Sequence, residues 1–304
     1  MTVFYTNRPC QNGRMSWRRV RIPASSANLG PGFDSLGIAL GLYLEVRYRR
    51  AERLQINVTG LDCPAISTQS DNLIWQIAQR VGANEPVELE INNQIPIGKG
   101  LGSSAAAVIA GVVVGGVERS RLLDECAQIE GHPDNVAPSI LGGLVSAASD
   151  CTGIPYAIKH RLHPNIGVAV IVPDFVVPTE EARRALPLSY SREDAIFNVQ
   201  RSALLISALT TGTIDAFPTA LDDRLHQPYR FSLVPGLEEM TQMRIQGLLG
   251  CALSGAGPSV LVFFERGFEQ VCDAVRTIFA RHGHAAEILF PGVAEQGIII
   301  HSDE

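Results

Sequence analysis

The residues best suited to chemistry in this 304-residue chain form a glycine-rich loop, PIGKGLGSSAAA, at positions 96–107. Gly98, Gly100 and Gly102 alternate along it, and glycine lets a backbone approach a ligand closely and adopt a positive φ. An apolar helix is predicted to follow, over residues 105–117. The free N–H groups and the dipole at a helix start attract anions, so the loop predicts a phosphate site. We expect a side chain at position 102 to fill the space of the phosphate.

Two other interpretations of this loop stay open. It lacks the G-x-x-x-x-G-K-[ST] pattern of a P-loop, and Ser103 occupies the third glycine position of a dinucleotide-binding fingerprint. The loop could therefore be a flexible turn that Ser103 caps. Residues 102–106, GSSAA, also resemble a nucleophile elbow, G-x-S-x-G, in which alanine replaces the last glycine. That pattern would make Ser103 or Ser104 the nucleophile of a hydrolase.

Composition and charge argue against several classes of function. Lysine and arginine number 25 against 31 acidic residues, which gives a net charge of −6 and no basic footprint for nucleic acid. The longest apolar run, 105–117, is too short to cross a membrane, and no signal peptide is indicated. The six cysteines form no C-x-x-C pair, which is typical of reduced thiols. We therefore expect a cytoplasmic protein with neither a membrane nor a nucleic-acid partner.

The elements around the loop predict an N-terminal domain at residues 16–154. Residues 1–15 have no pattern, and we expect them to be a disordered extension. Apolar spacing predicts strands at 17–23, 38–50, 54–59, 87–91 and 144–148, and helices at 73–81, 105–117 and 121–130. The strand 54–59 is expected to form a hairpin with 38–50.

A change of composition near residues 150–155 predicts the start of a second domain, residues 155–304. Its mixture of elements is typical of an α+β sandwich. The turn LSGAGPS at 253–259 is either a hairpin connection or a wall of the anion site. Strands are predicted at 166–172, 260–264, 286–289 and 297–301, and helices from 179 and at 191–210, 238–248 and 268–282.

Polar residues in two further loops are candidates for binding. Asn28 and Asp34 lie in a loop dense in Gly, Pro and Ser, which is either a plain turn or a frame for functional residues. Glu130 ends the predicted helix 121–130, where a carboxylate could hold Mg²⁺ or simply face solvent. His132 follows in the same turn, and we interpret it as structural.

Four motifs in order resemble the GHMP small-molecule kinases and, within them, the homoserine kinases. They are PASSANLGPGFDSLG at 23–37, PIGKGLGSSAAA at 96–107, EGHPDNVAP at 130–138 and LSGAGPS at 253–259. The galactokinase-type signature is missing, and the first motif resembles the homoserine branch. The resemblance extends from about residue 17 onward. It implies a two-domain α+β fold, with an N-terminal ribosomal S5 domain 2-like half, a C-terminal ferredoxin-like half and ATP between them.

The resemblance also implies an activity and roles for residues. The activity would be ATP- and Mg²⁺-dependent phosphorylation of the side-chain hydroxyl of L-homoserine, a step of threonine biosynthesis. Ser104 and Glu130 would hold Mg²⁺. The ATP-binding residues would be Asn72 near the adenine and, around the triphosphate, Pro96, Ile97, Gly98, Lys99, Gly100, Leu101, Gly102, Ser103, Ser104, Ala105 and Ala106. Lys99 either assists the phosphates or is a solvated loop lysine.

The substrate residues implied by the resemblance come from both halves. Asn28, Asp34 and Asn135 would hold the amino and hydroxyl ends of homoserine. Arg183 and Arg230 would clamp its carboxylate, a role that suits the fork of an arginine side chain. The family also implies a homodimer.

The catalytic candidates are Asp34, Glu130 and Asp134. Phosphoryl transfer depends mainly on positioning and on stabilisation of charge. A loose transition state lets the hydroxyl proton leave late, so we expect that no side chain is obligatory as a base. A kinase for mevalonate or a related alcohol and a non-catalytic binding protein on the same fold are the alternatives.

Overall fold

Two β-sheets organise residues 16–302, the part of the chain that the computed structural model describes. The predicted extension at 1–15 lies outside the described residues. The strands are β1 (Arg18–Ala27), β2 (Leu36–Arg50), β3 (Gln55–Gly60), β4 (Val87–Asn93), β5 (Leu144–Ser149), β6 (Pro155–His160), β7 (Ile166–Pro173), β8 (Leu248–Leu253), β9 (Val260–Glu265), β10 (Ala286–Leu289) and β11 (Ile299–Ser302). The helices are α1 (Leu73–Val81), α2 (Ser103–Val114), α3 (Leu122–Glu130), α4 (Val136–Leu141), α5 (Thr179–Arg184), α6 (Arg192–Thr211), α7 (Phe217–Ala220), α8 (Gln227–Arg230), α9 (Leu237–Gln242) and α10 (Val271–Arg281).

The first sheet has seven strands in the order β11-β1-β2-β4-β3, with β5 beside β2 and β6 beside β5. β2 pairs antiparallel with β4, and β3 pairs parallel with β4. The predicted hairpin between 38–50 and 54–59 is therefore wrong. A parallel pair needs a crossover connection, and α1 supplies it between β3 and β4.

The second sheet is antiparallel, in the order β10-β7-β9-β8. β7 is buried along its whole length, as expected for a central strand covered on both faces. The predicted helix 238–248 is too long, because α9 ends at Gln242 and β8 begins at Leu248. The apolar run LLGCAL then pairs with β9 instead of continuing the helix.

Two strands from the far side of the predicted domain boundary belong to the first sheet. β6 pairs with β5, and β11 returns from the C-terminal end to pair with β1. The division at 154/155 remains a prediction. The strand pairing favours a division in the linker that follows β6, with β11 as the closing strand of the first sheet.

The helix α2 is apolar on every side and lies in the core. All residues from 108 to 114 are buried, which is the pattern of a helix covered all round. Gly111 permits close packing on α1, since a Cβ there would lie 2.6 Å from the Cβ of Ile77. This packing fixes α2 and therefore its N-terminal end. Among residues 16–302, no helix is long and apolar enough to cross a bilayer.

Candidate active site

The glycine loop presents unpaired N–H groups at the start of α2. Gly98, Gly100 and Gly102 all adopt left-handed φ angles, 69°, 73° and 67°, which glycine adopts without steric cost. Gly102 is the N-cap of α2, and no side chain caps the first turn. The first amides of the helix are therefore available to an anion.

The turn 253–259 supports this loop from the second sheet. Ser254 Oγ donates to the Gly100 carbonyl at 2.7 Å and lies 2.8 Å from Ser26 Oγ. A Cβ at Gly100 would lie 2.1 Å from the Ser254 carbonyl oxygen. The turn connects β8 to β9 and also packs against the loop, so the two interpretations of this turn are compatible.

The end of β1 lies beneath the other side of the loop. β1 was predicted to end at residue 23 but continues to Ala27. Its Ser25 N–H donates to the Leu101 carbonyl at 3.2 Å. A Cβ at Gly102 would lie 2.1 Å from Ser25 Oγ. The expectation that a side chain at 102 would fill the phosphate space is therefore wrong, since it would collide with β1.

A cavity of about 600 Å³ opens beside the loop. It is lined by Ile97, Gly98, Gly100, Leu101, Gly102, Ser103, Ser104 and Ala105 of the loop. Residues predicted from other elements also line it, namely Asn28, Asp34, Asn72, Glu130, Asp134, Asn135, Arg183 and Arg230. Pro96, Lys99 and Ala106 do not line it. The structure thus brings most of the predicted site into one cavity.

The Lys99 side chain points away from this cavity toward the second sheet. Its Nζ donates to the carbonyl oxygens of Pro173 and Phe175, both at 2.7 Å. Burial lowers the pKa of Lys99. The ammonium group therefore joins the glycine loop to the chain leaving β7, which is neither of the two roles considered for it.

Ser104 and Glu130 form an oxygen-rich pair at the start of α2. Ser104 Oγ donates to Glu130 Oε1 at 3.1 Å. Burial is the main cause that raises the pKa of Glu130, and the hydrogen bond from Ser104 opposes it. Hydroxyl and carboxylate oxygens are ligands suited to a hard cation. The donor set therefore fits Mg²⁺ beside a bound phosphate chain.

The loop that carries Asp34 is held in a strained conformation. Asn28, Leu29 and Asp34 have φ angles of 74°, 44° and 53°, a region that costs energy for residues other than glycine. Asn28 Nδ2 donates to the Gly255 carbonyl at 2.9 Å, and its Oδ1 accepts from the Asp34 N–H at 3.0 Å. Asn28 therefore fixes the backbone of Asp34 against the second half of the chain.

Asp34, His132 and Asp134 converge, with one polar atom from each within 4.8 Å of the others. His132 Nδ1 lies 2.5 Å from Asp134 Oδ1, and this hydrogen bond is the main cause that raises the pKa of His132. Burial, and then the negative charge of Asp134, raises the pKa of Asp34. His132 lines the cavity. The structural interpretation of His132 remains a prediction, and its hydrogen bond to Asp134 is compatible with it.

Arg183 and Arg230 place two positive charges at the same end of the cavity. Arg230 is only 2% exposed, and its Nε donates to the Ala182 carbonyl at 3.0 Å. Burial, with a contribution from Arg183, lowers the pKa of Arg230 to about 10. Arg183 is half-exposed, and its Nη2 lies 3.9 Å from Asp34 Oδ1. This end of the cavity can therefore bind a carboxylate.

Comparison with known proteins identifies the family. The GHMP kinases N terminal domain matches residues 72–143, and the GHMP kinases C terminal domain matches residues 205–281. A homoserine kinase of Solibacter usitatus is 55% identical over 293 residues, which cover 93% of this chain and 96% of that protein. The chain belongs to the homoserine kinase family of GHMP kinases. A homoserine kinase of Desulfitobacterium hafniense is 41% identical, covering 93% of this chain and 99% of that protein.

The fold agrees with membership of the homoserine kinase family. The crystal structure of homoserine kinase from Cytophaga hutchinsonii matches with a TM-score of 0.82 at 26% identity, covering 97% of this chain and all of that chain. The predicted GHMP fold is confirmed, and the chain is an ATP-using kinase.

The hydrolase interpretation of the glycine loop is not supported. Ser104 Oγ donates a hydrogen bond to the carboxylate of Glu130. Within residues 16–302, no histidine forms a hydrogen bond with Ser103 or Ser104. A serine nucleophile needs such a base.

Asn72 was expected near the adenine, and its side chain caps α1. Its Oδ1 accepts from the N–H groups of Ile74 and Trp75 at 3.0 and 3.3 Å, and its Nδ2 donates to the Ser67 carbonyl at 2.6 Å. These contacts fix the wall of the cavity at this point. A role in binding the base of the nucleotide remains a prediction.

Proposed function

We propose that this chain transfers the γ-phosphoryl group of ATP to the side-chain hydroxyl of L-homoserine, giving O-phospho-L-homoserine for threonine biosynthesis. One observation carries the proposal: a single cavity joins an anion-binding loop to a pair of guanidinium groups. The loop suits a triphosphate, and the guanidinium pair suits the carboxylate of an amino acid. A triphosphate and an amino acid that are bound in one cavity can react by transfer of a phosphoryl group to the amino acid.

The chain's part in the reaction is to hold the two ligands and stabilise charge on the migrating group. The amides of residues 98–104 would donate hydrogen bonds to the β- and γ-phosphates, in a direction fixed by the packing of Gly100 on Ser254. Groups that are fixed before the reaction stabilise developing charge without reorganising. Lys99 remains in the proposed ATP site only as a residue that positions the loop.

Ser104 and Glu130 would hold Mg²⁺. A bound Mg²⁺ would supply neutralisation of the phosphate charge. Glu130 is half-buried, and burial is the main cause of its raised pKa. The arrangement is consistent with a partner cation that arrives with the nucleotide.

The substrate end of the proposed site contains charges of both signs. Arg183 and Arg230 would bind the carboxylate of homoserine, and Asp34 its ammonium group. Asn135 completes the pocket, where its Oδ1 accepts a hydrogen bond from Ser25 Oγ at 3.0 Å. Its Nδ2 is then directed by that contact and would face the hydroxyl end of the substrate.

Asp134 is the residue that we propose to face the substrate hydroxyl. It is 2% exposed and already bonded to His132, so the imidazole holds its charge in place. We propose that Asp134 orients the substrate hydroxyl and that the proton leaves late, as a loose transition state allows.

A substrate panel tests the proposal. The protein with Mg²⁺ and ATP is given L-homoserine, L-serine or mevalonate, and ADP release is measured beside ³¹P detection of a new phosphomonoester. We expect ADP and the phosphomonoester in equal amounts, with L-homoserine preferred. Preference for mevalonate would move the chain to another kinase class, and ADP without a phosphomonoester would exclude the proposed reaction.

We propose a homodimer in the cytoplasm as the form of the enzyme. Tyr156 and Ile158 on the strand β6 are 64% and 65% exposed, and Ile154 precedes them in the same alternation. β6 pairs only with β5 among residues 16–302, and exposed apolar residues on an edge strand are typical of an interface. Light scattering should give twice the chain mass, and Ile158→Ser should shift the protein toward the monomer.

A further inference from the structure

His226 lies between the two halves of the proposed homoserine pocket. It is the N-cap of α8, and Arg230 is the last residue of that helix. Its side chain is fully buried, and its ring stacks on Phe33 with centroids 5.2 Å apart and planes inclined at 23°. Phe33 directly precedes Asp34, so His226 contacts both of the segments that carry charge into the pocket.

The partners of the ring determine which nitrogen carries hydrogen. His226 Nδ1 lies 3.1 Å from Arg230 Nη1, and Nε2 lies 2.7 Å from the Gly30 carbonyl oxygen. A guanidinium group can only donate and a carbonyl oxygen can only accept. Nδ1 must therefore be the bare acceptor, and Nε2 must carry the proton.

Burial of the ring favours its neutral form. Burial is the largest cause that lowers the pKa of His226, and Arg230 lowers it further. Asp223, whose Oδ2 lies 3.4 Å from Nε2, opposes this, as do Asp34 and the Gly30 carbonyl. A second proton could enter only at Nδ1, where it would face the Arg230 guanidinium and remove the hydrogen bond.

Two backbone carbonyls also hold the Arg230 guanidinium. Its Nε donates to the Ala182 carbonyl, and Nη1 also reaches the Gly255 carbonyl at 3.3 Å. Within residues 16–302, no hydrogen-bond partner faces Nη2. Because Arg230 lines the cavity, Nη2 is left to donate to a ligand.

We propose that His226 is a positioning residue: its Nδ1 fixes the Arg230 guanidinium for carboxylate binding, and its Nε2–H ties that group to the loop that carries Asp34. This inference rests on the proposed function, since the carboxylate is that of the amino-acid substrate. Without the acceptor at Nδ1, Nη1 retains only the longer bond to Gly255, and the guanidinium is held mainly by the Nε bond to the Ala182 carbonyl.

Two substitutions separate the halves of this role. In His226→Asn the amide oxygen occupies nearly the place of Nδ1, so the acceptor for Arg230 is kept and the donor to Gly30 is lost. In His226→Gln the longer amide reaches the place of Nε2, so the donor is kept and the acceptor is lost. Each variant loses one buried hydrogen bond, which makes the two a matched pair.

The measurement is KM for L-homoserine and for ATP in wild type and both variants, with thermal unfolding recorded for each. We expect His226→Gln to raise KM for L-homoserine about tenfold, as one of three anchors of a charged group is lost. His226→Asn should stay within about threefold, and KM for ATP should change little in either. Equal effects of the two variants, or equal effects on both substrates, would overturn the positioning role. Wild-type protein that fails to phosphorylate L-homoserine would instead overturn the proposed function.

A measurement on the wild type decides the question if both variants unfold. Nitrogen-15 NMR of the seven histidines distinguishes a ring with hydrogen on Nε2 from one with hydrogen on Nδ1. We expect one neutral ring with hydrogen on Nε2 that does not titrate between about pH 6 and pH 8. Observation of every ring as protonated, or as the Nδ1–H form, would contradict the proposal.

Discussion

Replacing Arg230 with alanine should weaken recognition of the amino acid and leave recognition of ATP nearly unchanged. The guanidinium is 2% exposed, so its contact with a substrate carboxylate would be removed from water. Truncating one partner of such a buried charge pair costs about 2–5 kcal/mol. At about 1.4 kcal/mol for each factor of ten, kcat/KM for L-homoserine should fall about 30-fold to about 4000-fold. KM for ATP should change by less than about threefold.

Arg183→Ala is the matched control for this prediction. Arg183 lines the same cavity, but its side chain is 45% exposed and its ion pair with Asp34 is long, at 3.9 Å. Solvent screens exposed charges, so kcat/KM for L-homoserine should fall by about tenfold or less. A larger effect of Arg183→Ala than of Arg230→Ala would contradict the role of burial.

Stability has to be measured beside the kinetics. Arg230→Ala leaves the Ala182 carbonyl and His226 Nδ1 without their donor, and an unpaired buried polar group costs about 1–3 kcal/mol. The melting temperature should fall, so the coupled ADP-release assay is run well below it. Equal increases in KM for ATP and for L-homoserine in folded protein would remove Arg230 from the carboxylate site.

Four further predictions concern the glycine loop and the carboxylates. Gly100→Ala should lower both ATP affinity and melting temperature more than Gly98→Ala does. Both φ angles are left-handed, but only a Cβ at position 100 would lie 2.1 Å from a carbonyl oxygen. Equal effects of the two variants in calorimetry and thermal unfolding would contradict this packing. Glu130→Gln should raise the Mg²⁺ concentration for half-maximal rate about tenfold, and an unchanged Mg²⁺ titration would remove Glu130 from the metal site. The folded state raises the pKa of Asp34 above 3.8, so it binds that proton more tightly than the unfolded chain and loses stability as pH rises through this range. Asp34→Asn should therefore reduce activity but raise the melting temperature relative to wild type, by more at pH 7 than at pH 3. A melting temperature below that of wild type at pH 7 would refute the sign. Asp134→Asn should lower kcat by less than about 10³-fold, and a greater loss at unchanged KM would show an obligatory base.

Local patterns in the sequence predicted the elements of the site well. The order of strand, glycine loop and helix at 87–114 follows from apolar alternation, glycine spacing and a run of small apolar residues. The helix predicted at 73–81 follows from apolar spacing, and Asn72 caps it in the structure. Such signals are decided by neighbours in the chain, and these parts of the fold agree with the prediction.

Features that depend on distant pairing could not be predicted in the same way. β3 alternates like a hairpin strand, but α1 carries the chain across to a parallel pairing with β4. The strands β6 and β11 join the first sheet through partners on the other side of the predicted boundary. No rule of residue spacing indicates which distant strand will pair with the edge strand of a sheet.

The contacts of individual side chains were equally invisible in the sequence. Lys99 lies within the glycine loop, yet its ammonium group donates hydrogen bonds to the carbonyls of Pro173, the last residue of β7, and Phe175. A glycine at 102 reads as room for a ligand, yet the neighbour that excludes a side chain is Ser25. In both cases the residue type was informative and the partner was set by the tertiary fold.

A crystal structure with Mg²⁺, a non-hydrolysable ATP analogue and L-homoserine tests the central claim most directly. We expect the triphosphate on the amides of residues 98–104, with the homoserine carboxylate on Arg183 and Arg230 and its hydroxyl facing the γ-phosphate. A triphosphate bound away from residues 98–104, or a homoserine carboxylate bound away from both arginines, would contradict it.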